Sequence, residues 1–117
     1  MVVVRRDTLK KESIAEADAS EKVPEMLEKM QKEMFAKAKK ELDKQITEVK
    51  EYKELRDVIE KAGGFVKAGW CGSEDCESKI KDETGATIRV IGSSHVSGKC
   101  VYCGKKSDDV AYFARSY

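Results

Sequence analysis

The feature that most constrains this sequence is a set of four cysteines arranged in two pairs. Four residues separate Cys71 from Cys76, two separate Cys100 from Cys103, and 23 lie between the pairs. Two short cysteine motifs that a fold brings together can hold one metal ion from two directions, and this spacing is typical of a zinc site with four thiolate ligands. The sequence therefore predicts a closed structural zinc site. A disulfide pair and a redox-active Cys-x-x-Cys motif are the alternatives.

The residues around both pairs favour metal binding. The Cys-x-x-Cys turn, residues 100–103, directs both sulfur atoms towards one centre, and Gly104 lets backbone amides approach a thiolate. Residues 73–75 predict the start of a helix. Cys71 would then lie at the end of a strand and Cys76 in the first helical turn, where the helix dipole favours a thiolate.

Composition bears on the partner and on the compartment. The chain has 117 residues, with 23 basic and 22 acidic side chains and no block of basic residues, so its charge gives no support for binding nucleic acid by itself. The sequence also bears on the compartment. Neither a signal peptide nor a long apolar run is recognisable, which predicts a cytoplasmic location and no membrane partner. Because thiols stay reduced in the cytoplasm, this location again favours a metal over disulfides. The apolar content after Ile46 is modest, so the metal is expected to supply part of the folding free energy.

The first 45 residues are predicted to form two segments. Residues 1–20 open with the strand-like run MVVVRRDT, for which the sequence shows no partner strand, so we expect this stretch to be partly disordered. Residues 21–45 form a long amphipathic helix that begins near Val23, with Pro24 in its first turn. Its apolar stripe is expected to pack on a neighbouring part of the chain. The stripe consists of Val23, Met26, Leu27, Met30, Met34, Ala38 and Leu42.

The remaining segment, residues 46–117, is predicted to form a small α+β domain. Apolar periodicity predicts strands at 46–49, 65–70, 86–91 and 110–115, and helices at 52–62 and 73–84. This β-α-β-α-β-β order favours two layers, a mixed sheet with helices on one face. The short helices are expected to connect parallel neighbours and the last strand to return antiparallel.

Two strings carry a resemblance to a known family. They are GGFVKAGWCGSEDCESKIKDETGATIRVI and the C-terminal GKCVYCGKKSDDVAYFARSY. They resemble the C-terminal zinc-binding domain of prolyl-tRNA synthetase of the archaeal and eukaryotic type. The opening VVVRRDT resembles the last strand of that family's anticodon-binding domain, and the methionine-rich helix resembles its connector. The resemblance implies that residues 1–20 are a remnant of the anticodon-binding domain, 21–45 a connector helix and 46–117 a two-layer zinc-binding domain.

The resemblance implies a limited function for this chain. Enzymes of the family activate proline with ATP and Mg²⁺ and transfer it to tRNA(Pro), but their class II catalytic core is not recognisable in these 117 residues. The fragment alone is therefore expected to be inactive. The family's zinc ligands correspond to Cys71, Cys76, Cys100 and Cys103, and no catalytic residue carries over. Tyr117 carries over as a candidate contact with the catalytic domain. The implied partners are the parent's catalytic and anticodon-binding domains, tRNA(Pro) through the parent, and a second parent subunit.

Two other functions stay open on the residues alone. One is a free-standing zinc-binding adaptor for RNA or protein, which we would expect to begin at a domain edge and not with an unpaired strand. The other is a rubredoxin-like iron electron carrier. Two Cys-x-x-Cys motifs would favour the iron carrier, whereas only Cys100 and Cys103 have that spacing.

Several further residues invite a functional interpretation, but a structural or solvated role is favoured. His95 lies in a Gly/Ser-rich loop and is interpreted as solvated, and Trp70 as packing in the core beside the metal. Arg5 with Arg6 is interpreted as an exposed surface feature and not as a tRNA contact. The adjacent acidic pairs, residues 82–83 and 108–109, are interpreted as solvated and not as acid–base pairs.

Overall fold

The computed structural model describes residues 1–92 and 98–116. The chain divides into two compact units, Met1–Glu41 and Leu42–Tyr117. Among the described residues, no helix has the length and apolar character needed to cross a membrane.

The N-terminal unit begins with a β-hairpin. Strand β1 (Val2–Val4) pairs antiparallel with β2 (Lys11–Ser13), and Val3 lies opposite Glu12. The prediction that the opening strand has no partner was therefore wrong. Its partner has the sequence Lys-Glu-Ser, which is exposed throughout and lacks the apolar alternation by which strands are recognised.

Arg5 follows β1 and is the most buried charged residue of the N-terminal unit. Its Nη2 atom donates hydrogen bonds to Asp7 at 2.7 Å and to Glu33 at 2.5 Å, and its side chain is 8% exposed. The interpretation of Arg5 as an exposed surface residue was therefore wrong. The same hydrogen bonds lower the pKa of both carboxyl groups, Asp7 and Glu33.

Helix α1 runs from Ala19 to Gln45. It begins before the predicted start at Val23, because a short 3₁₀ turn at Glu16–Asp18 leads directly into it. Pro24 consequently lies in the second turn and not in the first. Because proline has no N–H group, α1 lacks one backbone hydrogen bond at this point.

The apolar stripe of α1 is only partly covered. Val23 and Met30 are half-buried, whereas Leu27, Met34 and Leu42 are 58%, 57% and 47% exposed. No residue of α1 is buried. The prediction that the whole stripe packs within the chain was therefore wrong for the described residues.

The C-terminal unit contains the remaining elements in the predicted order. They are β3 (Ile46–Glu48), α2 (Tyr52–Lys61), β4 (Phe65–Trp70), α3 (Glu74–Thr84), β5 (Ala86–Gly92) and β6 (Asp109–Arg115). Each end lies within one residue of its predicted position. The α+β class with a long N-terminal helix is confirmed.

Local signals explain where the two short helices begin and end. At the start of α2, the backbone N–H of Glu51 donates to the carboxylate of Glu54 at 3.3 Å. Helix α3 follows Ser73 and carries acidic residues in its first turn, which the helix dipole favours. It ends at Gly85, whose N–H donates to the carbonyl of Lys81 at 2.7 Å.

The four strands of the C-terminal unit form one mixed sheet in the order β3-β4-β6-β5. Strand β4 is parallel to β3 and antiparallel to β6, which is also antiparallel to β5. The prediction of a mixed sheet is confirmed, and α2 connects parallel neighbours as expected. Helix α3 connects β4 to β5, which are not neighbours, because β6 lies between them. This insertion depends on pairing between distant parts of the chain, which local periodicity does not encode.

The core of the C-terminal unit is built from α2, α3 and alternate residues of the sheet. Helix α2 contributes Leu55 and Ile59, which share one helix face, and α3 contributes Ile80. The central strands contribute Val66 and Phe113, and Leu55, Ile80, Val66 and Phe113 are all fully buried. This core supports the ends of β4 and α3 at which the first pair of cysteines lies.

Candidate metal centre

The fold brings all four cysteines together. Cys71 directly follows β4, and Cys76 is the third residue of α3, as predicted. Cys100 and Cys103 lie on the turn that precedes β6. The four sulfur atoms all lie within 4.8 Å of one another.

The sulfur separations suit a metal and not a disulfide. The Sγ atom of Cys71 lies 3.6 Å from that of Cys76 and 3.7 Å from that of Cys103. A tetrahedron with zinc–sulfur bonds of about 2.3 Å has sulfur atoms about 3.8 Å apart. A disulfide requires about 2.05 Å. The donor set and its spacing therefore fit a tetrahedral metal ion.

The backbone amides two residues after Cys71 and Cys103 donate hydrogen bonds to the sulfur atoms of these cysteines. Gly72 and Gly104 both adopt the left-handed conformation, with φ of 80° and 74°. Glycine adopts this conformation without steric cost, and the backbone then turns back towards the preceding cysteine. The N–H of Ser73 bonds to Cys71, and the N–H of Lys105 bonds to Cys103. This role was predicted from the sequence only for Gly104, although Cys71-Gly72 repeats the same dipeptide.

The environment of the thiols separates their acidities. Burial raises the pKa of Cys71 and raises that of Cys76 to about 12. The hydrogen bond from the Lys105 amide lowers the pKa of Cys103 to about 7. A cation at the centre favours the thiolate form of every ligand, so metal binding at neutral pH would release protons, Cys76 being the clearest source.

The turn that carries the second pair is fixed to β4. The N–H of Val101 donates to the carbonyl of Gly69 at 2.9 Å, and the Val101 side chain belongs to the core. The hydroxyl of Ser107 donates to the carbonyl of Trp70. The indole N–H of Trp70 donates to the backbone carbonyl of Ser73 at 3.3 Å. The Trp70 ring packs against the core, which confirms the prediction that Trp70 is a core residue.

A group of polar and aromatic residues beside the turn was missed. The hydroxyls of Tyr52 and Tyr102 both donate to the carboxylate of Glu83, the latter at 3.1 Å. Glu83 is exposed, as predicted, but its carboxylate also accepts both of these hydrogen bonds, which the sequence did not indicate. Two signals could have identified this group. Tyr102 lies between two ligands, and Glu83 follows Cys76 by seven residues, which places both on one face of a helix.

Four other residues were considered from the sequence, two of which the structure describes. Asp108 and Asp109 are exposed, as predicted. His95 and Tyr117 lie outside the described residues.

The fold and the site together define a small α+β domain with four clustered cysteines that could hold a metal ion. Residues 52–117 match the family described as "Prolyl-tRNA synthetase, C-terminal". The chain belongs to this family, so the resemblance of its sequence motifs to the C-terminal domain of prolyl-tRNA synthetase is confirmed.

The chain is similar to proteins that are much longer. It is 38% identical over 118 residues to proline–tRNA ligase 2 of Clostridioides difficile, covering 99% of this chain and 24% of that protein. It is 40% identical to proline–tRNA ligase of Lachnoclostridium phytofermentans, covering 99% of this chain and 25% of that protein. The crystal structure of prolyl-tRNA synthetase from Cryptosporidium parvum complexed with L-proline and AMP has the same fold as this chain, with a TM-score of 0.81 and 28% sequence identity. The match covers 99% of this chain and 25% of that protein. The chain thus spans about a quarter of the length of the curated relatives it matches.

Proposed function

We propose that this chain is the C-terminal structural zinc domain of a prolyl-tRNA synthetase, an enzyme that joins proline to tRNA(Pro) with ATP. The observation that carries the metal assignment is the set of four sulfur atoms within 4.8 Å of one another. The relatives support the parent enzyme, because they are proline–tRNA ligases and match nearly the whole chain.

The four cysteines would hold Zn²⁺ with no protein ligand missing. Four thiolates complete a tetrahedral sphere and leave no position for a reacting water, so the site is structural and not hydrolytic. Bound there, the ion supplies a cross-link between the end of β4, the first turn of α3 and the turn before β6. The residues themselves orient the sulfur atoms through backbone amides and core packing.

The parent's organisation is also part of the proposal. Residues 1–20 would end its anticodon-binding domain, residues 21–45 would be a connector, and residues 46–117 the zinc domain. The catalytic domain would hold ATP and Mg²⁺, Tyr117 would contact it, and the parent would act on tRNA(Pro) as a homodimer. The matches support this division, since they extend through the N-terminal unit and are not confined to the metal domain.

A chimera tests the proposed function. The matching segment of the Clostridioides difficile ligase is replaced by this chain, and proline–tRNA formation is measured. We expect activity well above that of the same ligase with the segment deleted. Cys103→Ser in the chimera should reduce it, whereas Ser78→Ala at an exposed position of α3 should not.

Two results would contradict the proposal. A chimera that folds and binds zinc but has no more activity than the deletion would separate the domain from prolyl-tRNA synthesis. If the chimera is inactive in this way and the isolated chain also binds RNA tightly at physiological salt, the adaptor function would be favoured instead.

A further inference from the structure

Tyr102 is held in place between the two cysteines of the Cys-x-x-Cys turn. Its hydroxyl donates to Oε1 of Glu83 at 3.1 Å. The hydroxyl of Tyr52 donates to Oε2 of the same carboxylate. Both oxygens of Glu83 are therefore engaged by phenol groups, one from the start of α2 and one from the turn.

The ring of Tyr102 is oriented as well as its hydroxyl. It packs edge to face with the ring of Tyr52, with centroids 5.0 Å apart and planes at 84°. The ammonium group of Lys79 lies 5.8 Å from the centroid of the Tyr102 ring. An aromatic neighbour, a cation and a carboxylate thus restrict this side chain from different directions.

One face of α3 meets the turn at two places. Cys76 and Glu83 are seven residues apart, so they lie nearly one above the other on the helix. Ile80 lies between them and is fully buried, which fixes this face against the core. The first contact runs through the metal centre and the second through Tyr102. The second contact requires no metal, because it is formed by side chains alone.

We propose that Tyr52, Glu83 and Tyr102 are positioning residues that orient the Cys-x-x-Cys turn towards Cys76 and so strengthen metal binding. This inference rests on the metal site proposed above. A turn that is already oriented loses less conformational freedom when the metal is bound. Loss of such outer partners of metal ligands typically weakens metal affinity by about 10–100-fold.

Zinc affinity of the whole 117-residue chain tests the proposal, measured by competition with a chromophoric chelator. Tyr102→Phe removes only the hydroxyl, and Glu83→Gln removes the charge that accepts from both tyrosines. We expect each to weaken zinc binding by about tenfold. Asp82→Asn makes the same change of charge at the preceding position of α3, which is also exposed but accepts from neither tyrosine, and should leave the affinity within about twofold of wild type.

A second control separates positioning from general stability. Val58 packs against the core from α2, so Val58→Ala lowers stability without altering the contacts of the turn. Positioning also predicts a changed visible spectrum of the cobalt-loaded protein for Tyr102→Phe and an unchanged one for Val58→Ala.

The outcomes are distinguishable. Wild-type affinity in Tyr102→Phe would overturn the positioning role. The positioning role would also be overturned if Val58→Ala and Tyr102→Phe had the same unfolding midpoint and lost the same amount of zinc affinity. Failure of the wild-type chain to bind one zinc ion would instead refute the metal site itself.

Discussion

Removing the metal should unfold the C-terminal unit far more than the N-terminal unit. The four cysteines join the end of β4, the start of α3 and the turn before β6. Strand β6 is central in the sheet and carries Phe113, which is fully buried. Loss of the cross-link therefore reaches the core, and is not confined to an exposed loop.

The size of the effect follows from two magnitudes. Structural zinc in small domains contributes about 10–16 kcal/mol of apparent binding free energy. The net stability of a whole domain is only about 5–15 kcal/mol. The metal-free unit should therefore have little cooperative structure left, and its unfolding midpoint should fall by about 20 °C or more.

Fluorescence of Trp70 is the natural assay, because it is the chain's single tryptophan and directly precedes Cys71. The melting curve is recorded before chelation, after it and after zinc is restored. Cys103→Ala should reproduce the chelated state and no longer respond to the chelator. Amide exchange should accelerate at residues 70–92 and 98–116 much more than in α1. A midpoint that moves by less than about 4 °C, with complete metal removal verified, would refute the reasoning.

Three further predictions concern single sites. Phe113→Ala should cost about 3–5 kcal/mol of unfolding free energy, measured by urea denaturation of the metal-loaded chain, because its ring is fully buried; a cost below about 1 kcal/mol would contradict the described core. Gly104→Ala should cost about 1–2 kcal/mol in the same assay, because its φ is 74° while its new Cβ would meet no atom within 4 Å; an unchanged stability would show that the turn adapts. Hydrogen bonds from Arg5 lower the pKa of Asp7 and Glu33, so their stabilisation is complete above the unfolded carboxyl pKa of about 4 and is lost as pH falls through the lower folded values. Amide chemical shifts of β1 and β2 should move in that acid range, and Glu33→Gln should remove part of the change; identical titrations would contradict the ion pairs.

The elements of the C-terminal unit could be predicted because their signals are local. Helix α2 has its apolar stripe at helical spacing, and α3 is bounded by an acidic first turn and Gly85. The cysteine spacing likewise indicated one shared centre before any fold was known. The helix boundaries and the spacing within each cysteine pair depend on residues a few positions apart, whereas the meeting of the two pairs across 23 residues was predicted from the residue type and number of the ligands.

Apart from the β1–β2 hairpin, whose second strand lacks apolar alternation, the main missed features depend on residues that are distant in sequence. Strand β6 inserts between β4 and β5 through pairings that no short window contains. Arg5 was predicted to be exposed; one of its two carboxylate partners, Asp7, is two positions away, but the other, Glu33, is 28 positions away. Glu83 gained its role from Tyr52 and Tyr102, which lie 31 and 19 positions away. A charged residue's environment follows from such contacts and not from its neighbours in sequence.

Titration with Co²⁺ tests most directly whether four thiolates form one closed site. The protein is reduced, freed of metal and titrated while its visible absorption is recorded, and each cysteine is then replaced by serine in turn. We predict saturation at one equivalent, with the thiolate-to-cobalt absorption of a tetrahedral four-sulfur site, and a weakened or altered spectrum in every one of the four variants. Saturation at another stoichiometry, or a wild-type spectrum after loss of any one of Cys71, Cys76, Cys100 and Cys103, would contradict the four-cysteine centre.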